Sequence, residues 1–350
     1  MTYRLCFISR NYRGTNSAGN KAKTDNEVTL RQMGAYNLGL HTTYYNNKIL
    51  SFFLDLAGII KMMLTIRPYD CVVLQYPIKK YFAFICNFAH FRHAKTIALI
   101  HDLGCMRRKK LTIEQEIKRL GHADYIIASN EKMQNWLAQH GLAKHTGALQ
   151  LFDYRSKSVA SKAIHQLSNA SPSLVYAGAL APRKNSFLLK MQQNIKDYQL
   201  EIYGNESGLP GLQASSKVHL HGFIDSETFI SSVKGDFGLV WDGDSEDTCS
   251  GNFGEYLCWN SPHKVSFYLR AGLPIIIWKE AALAPFIEKE GIGFSISSLD
   301  ELNERLKKLS VDDIQNMREQ VNRVSNRLRS GGFLTSAVNQ ALSVLTQTNA

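Results

Sequence analysis

A chain of 350 residues, 44% hydrophobic and 20% charged, is long enough for two buried cores of ordinary domain size. Its net charge of +11 is lopsided: residues 1–150 carry 21 Lys/Arg against 9 Asp/Glu, and residues 151–350 carry 20 against 21. Six cysteines without a C-x-x-C pair, no signal-type leader and no uncharged stretch of spanning length argue against a secreted or membrane-spanning chain, and lead us to expect reduced thiols in the cytoplasm.

Apolar runs rich in Val and Ile alternate with helical patterns, the signature of parallel strands joined by crossover helices. In the first half strands are expected at 3–9, 71–76, 96–101 and 125–128. After the first comes a polar loop, 10–21, feeding a helix expected to start near Asp25, with Thr24-Asp25-Asn26-Glu27 as a capping box. Asn16 and Lys21 in this loop suit a phosphate or a sugar hydroxyl. The chain has neither G-x-G-x-x-G nor a Walker A sequence, which counts against a dehydrogenase and a P-loop enzyme. Residues 49–66 read as a mostly buried helix with one narrow polar stripe, Ser51, Asp55, Gly58, Lys61 and Thr65, in preference to a membrane-dipping one. The strand at 96–101 ends in His101-Asp102, and a carboxylate at a strand mouth makes Asp102 the candidate general base. The bland alternative is that Asp102 caps a helix and His101 is packed. Ser129-Asn130 opens a further helix that closes at Gly141.

A polar stretch, 154–172, reads as the linker, with the boundary near residue 165. Beyond it strands are expected at 174–177, 200–203, 218–220, 237–241 and 274–278. Gly178 follows the first of these, and Arg183 and Lys184 then open a helix. Arg183 can grip a phosphate in a bidentate manner, with Lys184 as its rival. Tyr203 ends the next strand, as a ring for a stacked base or as an ordinary core tyrosine. The acidic run Asp242-Gly243-Asp244-Ser245-Glu246-Asp247 lacks the glycine and glutamate of a calcium loop and reads as a solvated loop, with no metal expected. Lys264 falls in the first turn of a helix entered at Pro262, where a cation opposes the helix dipole and calls for an anion such as pyrophosphate. The last helical pattern, 311–345, is broken at Ser330-Gly331-Gly332, which lets a terminal helix, 333–350, pack back on the first domain. The reading is therefore two doubly wound α/β domains, 1–165 and 166–332, with ligands at the carboxyl ends of the strands.

The run Pro262-His263-Lys264, followed by Tyr268-Leu269 and Ala271-Gly272-Leu273-Pro274, resembles the donor-site helix of GT-B glycosyltransferases. With residues 16–25, Gln75-Tyr76-Pro77, His101-Asp102 and Trp241-Asp242-Gly243, nearly the whole chain resembles one bacterial family. It comprises glucosyltransferases that extend GlcNAc on serine-rich adhesins and β-1,6-galactofuranosyltransferases of surface polysaccharides. The resemblance implies a GT-B fold, two facing Rossmann-like domains with a cleft between them. It also implies a UDP-sugar donor held by Arg183, Tyr203, Asn260 and Lys264, and no essential metal or other cofactor. The acceptor, a glycan, glycoprotein or lipid-linked oligosaccharide, would meet the basic first domain. Glu255 is followed eight positions later by His263, where retaining relatives of this fold often carry two glutamates seven apart, so an inverting hexosyl transfer is expected. A nucleotide-sugar epimerase and a catalytically silent binding subunit remain open as alternatives. Further expectations are a homo-oligomer and peripheral contact at the inner face of the membrane. The scattered cations match no nucleic-acid module, and no nucleic acid is expected.

Overall fold

The alternating pattern resolves into two separate sheets, each of six parallel strands among the described residues of the computed structural model, 3–13, 18–78, 81–107, 109–160 and 171–347. The first sheet contains β1 (Arg4–Phe7), β2 (Tyr36–Asn37), β3 (Asp70–Tyr76), β4 (Lys95–Ile100), β5 (Tyr125–Ala128) and β6 (His145–Ala148), in the spatial order 2-1-3-4-5-6. The second contains β7 (Ser173–Ala177), β8 (Gln199–Tyr203), β9 (Val218–Leu220), β10 (Phe237–Val240), β11 (Ile275–Trp278) and β12 (Gly293–Ile296), ordered 12-11-10-7-8-9. The inner strands are buried on both faces, as continuous Val/Ile/Leu runs require. In each sheet the chain leaves its first strand in one direction and later returns to continue in the other. This puts topological switch points between β1 and β3 and between β7 and β10, where ligands collect in open α/β sheets.

Three strands were not expected from the sequence: β2, β6 and β12. Each is a sheet edge, short, and built of residues such as His145-Thr146-Gly147-Ala148 that form no apolar run.

The chain divides into one unit of Met1–Asp153 with Ser330–Ala350 and another of Tyr154–Arg329. The division falls upstream of residue 165 because the segment after Asp153 is already tied to the second unit. Tyr154 stacks on the His263 ring at 4.8 Å, and Glu227 accepts the Ser156 hydroxyl at 2.7 Å and the Ser158 amide at 2.9 Å. The terminal helix, Gly332–Gln347, belongs to the first unit, burying Leu334, Val338, Ala341 and Leu345. Its first amides, of Phe333 and Leu334, donate to the Asp153 carboxylate at 3.2 and 2.8 Å.

Two helical expectations need correction. The first helix runs Ala18–Gln32, so Thr24 lies inside it, its hydroxyl donating back to the Asn20 and Lys21 carbonyls, and Thr24–Glu27 is no capping box. The Lys48–Thr65 helix is not mostly buried: Ser51, Gly58, Ile59 and Met62 face inward, whereas Ile49, Phe53 and Leu64 are exposed. The Glu131–Gln139 helix is capped as expected, with the Asn130 side chain accepting from the Met133 amide.

Candidate functional site

At the switch point of the second unit, β7 ends in Tyr176-Ala177 and is followed by Gly178, at φ +141°. β10 runs on into Trp241-Asp242-Gly243. Gly243, at φ +128°, is obligatory: a Cβ there would lie 2.6 Å from the Ser250 amide nitrogen. The Gly243 amide donates to the Lys184 carbonyl at 2.6 Å and its carbonyl accepts from Phe187 at 3.2 Å, which locks the strand end onto the Pro182–Asn185 turn.

This turn fixes Asp242 beneath a group of cations. Its Oδ1 accepts from the Tyr176 hydroxyl at 3.1 Å, which itself accepts from Asn185 Nδ2 at 3.0 Å. Lys264 Nζ lies 3.8 Å and Lys184 Nζ 3.9 Å from that same Oδ1, close enough for ion pairing and too far for hydrogen bonds. Lys264 Nζ also sits 3.7 Å from the centroid of the Tyr176 ring, a cation–π contact. The nitrogen reaches no solvent and has no hydrogen-bond partner among the described residues. Burial drives the Lys264 ammonium down to about 7, with Asp242 opposing the shift and Lys184 adding to it. Arg183 is exposed, its guanidinium 5.5 Å from the Phe253 ring centroid, and Lys184 approaches that ring at 5.9 Å. Lys184 and Lys264 thus set two cationic side chains beside one carboxylate, and Arg183 shares the Phe253 ring with Lys184. Asn260 lies in the turn before the His263–Arg270 helix, its Oδ1 buried and without a hydrogen bond.

Tyr203 is placed differently. Its ring is stacked on His221 at 4.4 Å and 11°, meets Phe229 edge-on at 5.1 Å, and its hydroxyl accepts from the Lys234 amide. It is a core tyrosine, and the outward ring at this strand end is His221, paired with the buried Glu201. Sequence reasoning missed His221 and misread Asp242. Far from lying in a solvated loop, Asp242 is 13% exposed. Its signal was the small residue beside it: a glycine directly after a strand-end aspartate marks a turn tight enough to aim the carboxylate inward.

In the first unit, polar side chains converge past β1, β3 and β4. Gln75 Nε2 donates to the Lys23 carbonyl, which orients the amide so that Oε1 accepts from Asn26 at 3.0 Å and from His101 Nε2 at 2.9 Å. His101 lies flat on Phe152, 4.8 Å between centroids, and is a packed histidine. Asp102, 27% exposed, is paired with the Arg107 guanidinium. Glu27 is fully buried and accepts from Ser9 at 2.7 Å, Tyr12 at 2.6 Å, Thr42 at 2.8 Å and Arg31 at 2.9 Å. Lys21 pairs with Asp25 one turn on, at 2.6 Å. Asn16 lies outside the described residues. Among those residues no group of three or more His, Cys, Asp or Glu side chains could hold a metal ion.

Two family profiles match the chain end to end: glucosyltransferase 3-like, N-terminal domain, over residues 5–151, and glucosyltransferase 3-like, C-terminal domain, over residues 174–341. The chain is 28% identical over 279 residues to β-1,6-galactofuranosyltransferase WbbI of Escherichia coli K12, spanning 78% of this chain and 79% of that protein. It is 28% identical over 258 residues to glucosyltransferase 3 of Streptococcus gordonii, covering 71% and 72%. Among solved structures it is similar to Anabaena HepE in complex with UDP, with a TM-score of 0.60 and 13% identity over 99% of this chain and 100% of that one. Sucrose-phosphate synthase from Thermosynechococcus elongatus gives 0.61 and 14%, over 98% and 100%. The two parallel sheets and these likenesses make the fold GT-B.

Proposed function

The chain belongs to the glucosyltransferase 3-like family, and from that premise we propose how its two units divide one reaction. The protein is a glycosyltransferase that moves a hexosyl group from a UDP-sugar to a sugar hydroxyl. The donor sugar is glucose, galactose or galactofuranose, given relatives named for glucosyl and galactofuranosyl transfer. The acceptor is a glycan, glycoprotein or lipid-linked oligosaccharide.

One observation carries the donor site: a buried ammonium, Lys264, that lacks a hydrogen-bond acceptor at a topological switch point. Leaving a buried charge in that state is costly unless a ligand completes it. A pyrophosphate oxygen supplies the acceptor, and Lys184 and Arg183 bring the cationic charge needed for a diphosphate. Asn260 offers its amide to the same nucleotide. Tyr203 supports the site from behind His221, whose ring is the one turned outward. As the anomeric carbon–oxygen bond breaks, the electron pair leaves with UDP and negative charge grows on the β-phosphate. The fixed cations stabilise it there, which is the work a divalent metal does elsewhere, so the reaction is metal-independent.

The acceptor binds the first unit near Asn26, Gln75 and His101. Its hydroxyl attacks the anomeric carbon from the face opposite the leaving group, and Asp102 takes the proton, giving inversion. A base so placed contributes about 10²- to 10⁴-fold. All six cysteines are free thiols, in keeping with a cytoplasmic setting where UDP-sugars are made.

The test is a donor screen with UDP-glucose, UDP-galactose, UDP-galactofuranose and UDP-GlcNAc, each with and without simple acceptor glycosides and with and without EDTA. Transfer that needs the acceptor, survives EDTA and inverts the anomeric centre by NMR is the expected result. Epimerised donor without acceptor, or no UDP released from any donor, overturns the proposal.

A further inference from the structure

The Lys48–Thr65 helix is amphipathic in the reverse of the usual sense. Its polar residues turn inward beside the buried Ile59 and Met62: Ser51 is buried, Asp55 pairs with Arg10, and Lys61 Nζ donates to the Gly39 carbonyl at 2.7 Å. Gly58 lies against Leu40, on the same inward side. The outward stripe is Ile49, Phe53, Ile60 and Leu64, at helical spacings of four, seven and four, with Leu64 80% and Ile49 69% exposed. A surface helix facing only water carries its polar residues outward.

A second helix extends the patch. Phe82–Phe91 exposes Phe84 and Phe91, joined through Phe88 in a row of rings 6.2 and 6.1 Å apart. The connections β2 to β3 and β3 to β4 run the same way along the sheet, so right-handed crossovers put both helices on one face of it. Arg92 reaches the Ile66 carbonyl and links the ends of the two helices.

The surrounding charge says what covers this face. Residues 28–101 carry eight Lys/Arg and two Asp; both aspartates are spent inside the unit, Asp55 on Arg10 and Asp70 on Arg4, as are Arg31 on Glu27, Lys61 on the Gly39 carbonyl and Lys95 on Asp124. Lys48 and Arg67, one at each end of the long helix, and Arg92 are therefore the described cations left to charge this face. Exposed tyrosines flank the long helix, Tyr45 beside Lys48 at its start and Tyr69 beside Arg67 after its end, the arrangement of an interfacial belt. A second copy docked by the same patch about a two-fold axis would set these cations against each other. We propose that this face seats on an anionic phospholipid bilayer, with the Lys48–Thr65 helix lying in the headgroup plane. The inference goes beyond hexosyl transfer and does not rest on the donor site.

Flotation of the whole chain with liposomes, in the absence of nucleotide, tests it. Phosphatidylcholine vesicles containing phosphatidylglycerol should bind at least about tenfold more tightly than phosphatidylcholine alone, and high salt should release the protein. Phe53→Asp with Leu64→Asp should cut that binding by about tenfold or more, with UDP affinity unchanged as the control for folding. Lys48→Glu with Arg67→Glu should weaken binding to the anionic vesicles only. The proposal falls if the wild-type chain stays unbound in both mixtures, or if the Phe53/Leu64 variant floats like wild type. It falls equally if light scattering shows an oligomer that this variant dissociates, which would make a second copy the occupant.

Discussion

Lys264 gives the sharpest test of the donor site, because its protonation should report UDP directly. Burial holds the ammonium at about 7 against its ordinary 10.5. At pH 8 an amine of that pKa is about nine-tenths neutral. A pyrophosphate beside it restores the charged form, so UDP binding should draw about 0.9 proton from buffer at pH 8. Calorimetry in buffers of different ionisation enthalpy measures that uptake. Lys264→Met should abolish it and weaken UDP by about 2–5 kcal/mol. The same shift sets a stability signature. A basic group whose folded pKa is depressed penalises the fold fully below pH 7, and the penalty is relieved as pH rises toward 10.5 and the buried amine sheds a proton the unfolded chain keeps. The depression corresponds to about 5 kcal/mol. Lys264→Met should therefore be more stable than wild type at pH 6, by about 2–5 kcal/mol, and the gap should close toward pH 10. Nucleotide binding with no proton uptake at pH 8, or a methionine variant less stable than wild type at pH 6, would refute the reasoning.

Asp102→Asn should lower turnover by about 10²- to 10⁴-fold while UDP affinity by calorimetry stays at the wild-type value; unchanged turnover removes Asp102 as the base. Glu27→Gln replaces a fully buried carboxylate that accepts four hydrogen bonds, and should cost about 2–4 kcal/mol in urea unfolding. A loss below 1 kcal/mol would mean the network re-forms around the amide, or that its charge matters little. Gly243→Ala forces a Cβ against Ser250 at a positive φ, so about 1–3 kcal/mol of stability should go, together with about tenfold in UDP affinity as Asp242 shifts. Wild-type values for both would show that the turn does not govern the cation cluster.

The central strands and their order of appearance were legible because parallel strands covered on both faces must be continuously apolar, and runs such as Ile275-Ile276-Ile277 leave no other reading. The edges β2, β6 and β12 were not, since an edge needs no such run. Lys264 was singled out from its place in a first turn followed by a glycine stop, and the structure puts it in that turn, buried beside Asp242. Asp242 could not be read correctly from composition, because five of the six residues from Asp242 to Asp247 are polar and only the backbone turn at Gly243 separates the first aspartate from its solvated neighbours. The Lys48–Thr65 helix was misread for a related reason: periodicity finds the polar stripe but does not say which side of it the protein occupies, and only packing against Gly39 and Leu40 decides that.

Glu27 and Lys264, one buried charge from each unit, differ in kind. Glu27 accepts from Ser9, Tyr12, Thr42 and Arg31, so its desolvation is offset within the protein and its loss should be felt as stability. Lys264 has only a distant carboxylate and the face of a ring, an arrangement that leaves it half charged near neutral pH. A carboxylate at hydrogen-bond distance would already satisfy one of the ammonium's donors and weaken its call for an incoming anion. In the proposed donor site, the carboxylate held at 3.8 Å by the Tyr176 hydroxyl and the Gly243 turn would keep part of the charge on Lys264 while leaving its hydrogen bonds to an incoming diphosphate. On the same proposal, part of the binding free energy goes into protonating Lys264 when UDP binds, which would keep the product from being held too tightly after transfer.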